Sequence, residues 1–384
     1  MNPIFKTLKP SETLKISAKA KELAKKGLDV INLSAGEPDF DTPQYIKDAI
    51  KKALDNSKTK YTPATGIKEL KEVISEKFKK ENSLEYPPDN IIISCGAKHV
   101  LFNILFCLLE KNDKVLIISP YWVSYPAQII LCRGTPVILE TEFEDKFDID
   151  LEEFRRKVKG CKAVIINTPS NPTGKILKRE ILEKIAKVCL EEKVYIISDE
   201  IYEKIVFESE HFSIGSVSKE ILKITFTVNG VSKSFSMTGL RIGWCGAPIL
   251  VKELSVLQSH TTSNPTSISQ YGALEALKNP LCRDFYEFIR KEFKERRDVF
   301  CRELEKIDKL EVFVPEGAFY VFCKIKNTGL SSSEFCEKLL EKELVSCVPG
   351  VVFGKEGFIR FSLSQSRERL KEAAARIKNF IASL

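Results

Sequence analysis

The sequence offers little to a metal ion. It has only three histidines, His99, His211 and His260, and none stands at ligand spacing to another. Eleven cysteines are present, yet none pairs as C-x-x-C, and successive gaps such as Cys95 to Cys107 or Cys336 to Cys347 are wide. Several, Cys107 and Cys189 among them, lie inside apolar runs, so buried thiols in a reducing cytosol are expected rather than a disulfide framework. No stretch approaches the roughly 18 unbroken apolar residues of a membrane span. The longest, Val100–Leu109, contains Asn103 and fits a buried helix. The opening Met1–Thr7 lacks the apolar core of a signal peptide, which argues against export and for a cytoplasmic location. No G-x-G-x-x-G follows the first strands, against a nicotinamide dehydrogenase. Internal repeats and low-complexity linkers are missing too. The net charge is +7, from 60 basic and 53 acidic residues. Basic pairs such as Lys25-Lys26, Lys79-Lys80 and Arg296-Arg297 alternate with acids, which fits solvated helix faces better than a nucleic-acid surface.

What is present is ordinary globular material: 384 residues, 43% apolar and 29% charged, enough for one large core and a smaller domain. Apolar, β-rich runs recur at Ile91–Ser94, Val115–Ser119, Pro136–Glu140, Ala163–Asn167, Val194–Ser198 and Ile224–Val228. Helical stripes lie between several of them: Ile46, Ile50, Ala53 and Leu54; Ile67, Leu70, Ile74 and Phe78; Ile181, Ile185, Cys189 and Leu190. Strands apolar throughout and alternating with helices predict an α/β fold with a mainly parallel sheet covered on both faces. Beyond this, Pro280–Lys306 predicts a long charged helix. Strands follow near Glu311–Val314 and Ala318–Cys323, and then a final amphipathic helix marked by Leu370, Ala374, Ile377 and Ile381. A large domain over 45–285 is expected, with 1–44 and 286–384 forming a smaller α/β domain.

Several short motifs carry chemistry. Lys233 follows the strand-like run Lys223–Val228 in a turn of small and hydroxyl residues, and Arg241 stands eight positions on. An imine-forming amine beside a fixed cation is what pyridoxal phosphate requires. Asp199 and Glu200 end a strand, where ligands gather in open α/β sheets. Asp199 either caps the next helix or pairs with a protonated ring nitrogen, and Tyr202 would project near the same place. Ser170-Asn-Pro-Thr-Gly174 reads as a turn, or as a loop that sets the Asn171 amide beside a ring oxygen. Gly96-Ala-Lys98 joins a strand to a helix, either as a tight connection or as an approach to a phosphate. Arg360 sits in an apolar strand and needs an anion, whether a substrate carboxylate or a structural acid.

Together with Ser34-Ala-Gly-Glu-Pro-Asp-Phe40, Lys60–Gly66 and Pro120-Tyr-Trp-Val-Ser-Tyr-Pro126, these motifs resemble the class I pyridoxal-phosphate aminotransferases, and within them the bacterial aspartate aminotransferase subgroup. The resemblance implies fold type I and a homodimer with active sites at the subunit interface. It implies Lys233 as the imine-forming lysine and base, Asp199 on the pyridinium, and Asn171 and Tyr202 on the ring oxygen. Arg241, with Gly96, Ala97, Lys98 and Ser232, would hold the phosphate, joined by Tyr61 from the neighbouring subunit. Trp122 would stack on the ring, while Gly36, Asn171 and Arg360, with Trp122, would bind the substrate. Aspartate and 2-oxoglutarate are the implied amino-acid and oxo-acid substrates. Two departures bear on this. Ser259, followed by His260, stands where animal-type relatives carry the arginine for a distal carboxylate, leaving Lys98 and Lys9 as candidates. Gly230 stands where a hydroxyl residue is common near the phosphate, and Ser232 would compensate. Other readings are aminotransferases for prephenate, aromatic or alanine-type substrates, a related lyase, or a cofactor-binding regulator. The last needs an added DNA-binding module, and the first forty residues do not read as one.

Overall fold

The computed structural model describes residues 12–384, so the candidate Lys9 lies outside the described part. A helix, Glu12–Lys25, leads into the two-residue strand β1 (Ile31–Asn32). Seven strands then build one sheet: β2 (Ile91–Ser94), β3 (Lys114–Ser119), β4 (Thr135–Glu140), β5 (Ala163–Asn167), β6 (Tyr195–Asp199), β7 (Thr225–Gly230) and β8 (Gly243–Gly246). Their order is β2-β8-β7-β6-β5-β3-β4. Pairing is parallel from β7 to β4, and β8 alone runs against its neighbours β7 and β2. The predicted mainly parallel α/β sheet is present. Isoleucine and valine side chains on both faces of β5 and β6 sit in separate buried clusters: Ile165 and Ile197 on one side, Val164, Ile166 and Ile196 on the other. That double burial explains why these strands read as continuous apolar runs.

The six expected strands all occur, shifted at their ends by up to two residues. β8 was not expected. Its Gly243-Trp-Cys-Gly246 has low strand propensity, but Gly243 has a steric reason. A Cβ there would lie 2.3 Å from the backbone nitrogen of Ala97, so the strand passes directly under the start of the helix Ala97–Leu108.

The remaining strands are β9 (Leu310–Phe313), β10 (Tyr320–Ile325), β11 (Val345–Ser346), β12 (Val348–Pro349) and β13 (Phe358–Ser362). They form an antiparallel sheet ordered β12-β13-β10-β9, while β11 pairs in parallel with β1. The Ser362 amide donates to the Leu33 carbonyl at 2.8 Å, which brings the segment after β1 alongside Arg360. That segment is anchored further on, where Arg296 donates to Asp39 at 2.6 Å and lies 4.5 Å from the Phe40 ring centroid. Arg296 belongs to the long helix Cys282–Leu304, inside which the expected domain boundary at 285/286 falls.

Two helical stripes end differently from expectation. Leu54 and Leu190 are 55% and 42% exposed, while Ile46, Ala53, Ile185 and Cys189 are buried. Both leucines sit in the last turn of their helices, at the edge of the apolar stripe, where 100° per residue carries the chain past the core. All eleven cysteines carry free thiols, and Cys95, Cys107 and Cys282 are only partly buried. No helix among the described residues is long and apolar enough to cross a membrane.

Candidate active site

A cavity of about 530 Å³ opens where β5, β6 and β7 end, in the size range of small-molecule sites. Its walls include Gly36, Ala97, Lys98, Trp122, Asn171, Asp199, Tyr202, Ser232, Lys233, Arg241 and Arg360. Motifs spread from residue 36 to residue 360 are therefore brought to one space. Tyr61 is not part of this wall; it is 88% exposed. Ser259 lies on the helix Val251–Thr261, where its hydroxyl donates to the Val256 carbonyl at 2.7 Å.

Lys233 follows β7 directly, and its Nζ donates to the Gly36 carbonyl at 2.6 Å. Its pKa is lowered to about 8 by burial of the ammonium; Glu37 opposes this, while Arg241, Arg360 and Lys98 add to it. A fraction of the amine is thus uncharged and nucleophilic near neutrality. Asp199, the last residue of β6, is 4% exposed. Burial raises its pKa to about 6 against the lowering effect of hydrogen bonds from Tyr125 and the Ile201 amide. Such a carboxylate is poised to gain from a cation placed beside it.

An anion cradle lies on the β8 side. Gly96, at φ +89°, turns the chain into the helix Ala97–Leu108, whose N-terminus carries the positive end of the helix dipole. Only glycine fits: a Cβ would come within 2.4 Å of Arg241 Nη2. Arg241, itself left-handed at φ +55°, donates to the Thr238 carbonyl at 2.7 Å and the Cys95 carbonyl at 3.2 Å. Its fork is thereby aimed at the same turn.

On the opposite wall Arg360 is 2% exposed, with no carboxylate among its hydrogen-bond partners. Nη1 donates to Asn171 Oδ1 at 2.9 Å and Nη2 to the Ser34 carbonyl at 3.1 Å, and the guanidinium lies 4.3 Å from the Tyr320 ring centroid. Burial pulls its pKa down. A buried cation served only by neutral acceptors calls for an anionic ligand. Lys98 Nζ sits 5.0 Å from the Trp122 ring centroid, at the mouth of the same space.

Three functional side chains escaped the sequence reading. Tyr125 donates to Asp199 Oδ2 at 2.7 Å, and its ring meets Trp122 edge to face at 5.3 Å. The Tyr320 hydroxyl lies 3.0 Å from that of Tyr202. Asn167 accepts from the Asn171 amide and donates to the Asp199 carbonyl, both at 2.9 Å, which fixes the β5 loop against β6. Tyr125 lay in a quoted motif, but aromatic residues in apolar runs read as core, and nothing in the sequence separates these from ordinary packing.

Glu200, Glu203 and His211 bring ligand atoms within 4.8 Å of one another, a grouping that the spacing of the histidines does not reveal. The cluster is already neutralised. Lys77 pairs with Glu203, Lys204 stands 3.8 Å away, and Asn82 donates to Glu203 at 2.7 Å. Burial pushes the Glu203 pKa up, but the two lysines outweigh it and hold the carboxyl well below the usual range. This is a buried ion-pair network that stiffens the end of β6.

The cavity fits an anionic aromatic aldehyde. Arg241 and the Gly96 turn could hold a phosphate, Asp199 a ring nitrogen, Lys233 the aldehyde carbon and Arg360 a substrate carboxylate. Comparison with known proteins agrees in kind. Residues 28–377 match the family described as aminotransferase class I and II. A protein of Aquifex aeolicus named as a probable aspartate/prephenate aminotransferase is 49% identical, over 98% of this chain and 97% of that one. The aspartate aminotransferase of Bacillus sp. strain YM-2 is 46% identical over the same shares. The aspartate aminotransferase of Thermus thermophilus, solved with maleate, superposes with a TM-score of 0.95 at 40% identity, covering 99% of both chains.

Proposed function

This chain belongs to the class I and II aminotransferases, and we propose from that premise that it carries pyridoxal 5′-phosphate and moves the amino group of aspartate to 2-oxoglutarate. The observation that carries this reading is the meeting of Lys233, Asp199 and Arg241 around one cavity with the buried cation Arg360 facing them. When bound, the cofactor supplies an electron sink for the pair left behind as the substrate's Cα–H bond breaks. Everything else falls to the protein.

Arg241, the Gly96–Lys98 turn and Ser232 grip the phosphate. The Asp199 carboxylate keeps a proton on the ring nitrogen, and Tyr125 holds that carboxylate in place. Asn171 and Tyr202 would bond a ring oxygen. Arg360, with Asn171 and the Gly36 segment, takes the substrate α-carboxylate. Its two hydrogen bonds to neutral oxygens leave the rest of the guanidinium free to turn to a carboxylate. Displaced by the substrate amine, Lys233 would be the base that accepts the Cα proton and gives it back to the next carbon. Trp122 walls the far side and excludes water.

The distal carboxylate of aspartate is assigned to Lys98, the cation at the mouth. A homodimer is proposed as well, in which the exposed Tyr61 reaches the neighbouring phosphate. The division into a domain over 45–285 and one built from 1–44 and 286–384 is part of the same proposal, as is a reducing, cytoplasmic setting. A second reading has prephenate among the substrates, since the Aquifex relative's name includes it. The test is direct. Purified protein is expected to be yellow, to bleach when aspartate is added, and to yield a borohydride-fixed label on Lys233. A label on another residue, or none, rejects the cofactor assignment. A panel of amino donors against 2-oxoglutarate separates aspartate, aromatic and alanine-type donors, and prephenate as acceptor tests the second reading.

A further inference from the structure

Glu37 lines the same cavity as Lys233 and has no task in the scheme above. It is the residue after Gly36, whose carbonyl accepts from Lys233 Nζ at 2.6 Å. Its Oε2 accepts from the Thr238 hydroxyl at 2.8 Å, and the Thr238 carbonyl in turn accepts from Arg241 Nη1 at 2.7 Å. The Glu37 side chain is thus tied through Thr238 to the arginine of the anion cradle, while the backbone one residue before it holds the amine. Two residues later the chain is pinned, with Asp39 bonded to buried Arg296 and the Phe40 ring 5.2 Å from Phe293. Among the described residues Glu37 makes no ion pair, so its charge is directed at the cavity rather than cancelled locally.

We propose that Glu37 is a positioning residue of the reaction, which ties Thr238 and Arg241 to the Gly36 segment and whose carboxylate opposes the cations that surround Lys233. The charges around Lys233 show why an acid is needed. Lys98 faces the cavity from the helix Ala97–Leu108, Arg241 from the turn before β8, Arg360 from β13 and Lys21 from the leading helix. Against these four cations stand two acids, Asp199 at the end of β6 and Glu37, with the hydroxyls of Tyr202 and Tyr320 alongside. Asp199 is taken up by Tyr125 and, in the proposed reaction, by the ring nitrogen. Glu37 is the acid that raises the proton affinity of Lys233 against burial and the surrounding cations. Stripped of it, the amine would be a better nucleophile but a poorer base for the Cα proton.

This inference rests on Lys233 being the reacting amine, and its test is separable from that of the function. In cofactor-free protein, acetic anhydride labelling of Lys233 is followed against pH by peptide mass spectrometry. The wild-type midpoint is expected near 8. Glu37→Gln should move it down by about 0.5–1 pH unit, the size expected for one charge across a shared, partly solvated cavity. Glu37→Asp should restore most of the difference. Thr238→Val keeps the charge but breaks the tether, so it should shift the midpoint less than Glu37→Gln while weakening cofactor affinity. In loaded protein, the visible absorbance titration and the acidic limb of the kcat/KM profile should follow the same downward shift. An unchanged or raised midpoint in Glu37→Gln overturns the proposal, and so does a full shift in Thr238→Val. Failure of borohydride to label Lys233 would reject the cofactor assignment and leave the cofactor-free midpoint to decide the role of Glu37.

Discussion

The Tyr125 hydroxyl donates to Oδ2 of Asp199 across 2.7 Å, and the two residues are 2% and 4% exposed. The bond orients the carboxylate toward the cavity and favours its charged form against the cost of burial. Tyr125→Phe removes the hydroxyl without changing the packing on Trp122. The Asp199 midpoint should then rise above its value of about 6 in cofactor-free protein, as measured by carboxyl infrared difference spectra. A charge-assisted hydrogen bond of about 1.5–3 kcal/mol implies a fall in kcat of roughly 10- to 100-fold if the bond persists in the transition state.

Arg360→Lys keeps the positive charge and loses the planar fork. KM should rise by about 10- to 100-fold for every amino donor, because the α-carboxylate common to all of them loses one charge-assisted bond. An increase confined to dicarboxylates would place Arg360 on the distal group instead. Steady-state kinetics with aspartate, alanine and phenylalanine decide between the two.

Lys98→Ala should act selectively. With its Nζ above the Trp122 ring, Lys98 is placed for a second carboxylate rather than the first. The KM for aspartate is expected to increase about tenfold more than that for alanine, equivalent to ~1.4 kcal/mol. Equal increases would remove Lys98 from substrate selection.

Lys233 also leaves a signature in stability. Its folded pKa of about 8 lies below the ordinary lysine value of 10.5, so the unfolded chain binds the proton more tightly between those values. The contribution of Lys233 to stability is therefore present above pH 10.5 and lost as pH falls through 8. Cofactor-free Lys233→Met should gain in melting temperature over wild type at pH 7, and the gain should shrink as pH rises through that window. Differential scanning calorimetry of the pair at matched pH reads the difference directly. A pH-independent gain would mean that packing, not proton affinity, distinguishes the two.

How much of this was legible before the fold was known varies with the physics involved. β5 and β6 are buried on both faces, and their unbroken apolar runs announced them. β8 was hidden because close packing of Gly243 under Ala97 demanded the residue type that strand propensity disfavours. β1, β11 and β12 are only two residues long, and β1 and β11 depend on each other across more than 300 positions. In the site, Lys233, Asp199, Arg241 and Arg360 stood out because charged residues at strand ends or within apolar runs are unusual. Tyr125 and Tyr320 did not stand out, because aromatic rings in apolar runs read as core and their polar contacts come from residues distant in sequence. Glu37 was quoted in a motif, but its tether to Thr238 spans 201 positions and no local pattern reveals it.

Arg360 reaches across still more of the chain. It clasps the Ser34 carbonyl 326 positions back and the Asn171 side chain 189 positions back, so this wall of the cavity exists only where three remote stretches of chain converge. A ribosome must therefore extrude nearly the entire polypeptide before that wall can close. Nascent fragments that end short of β13 have no such cavity.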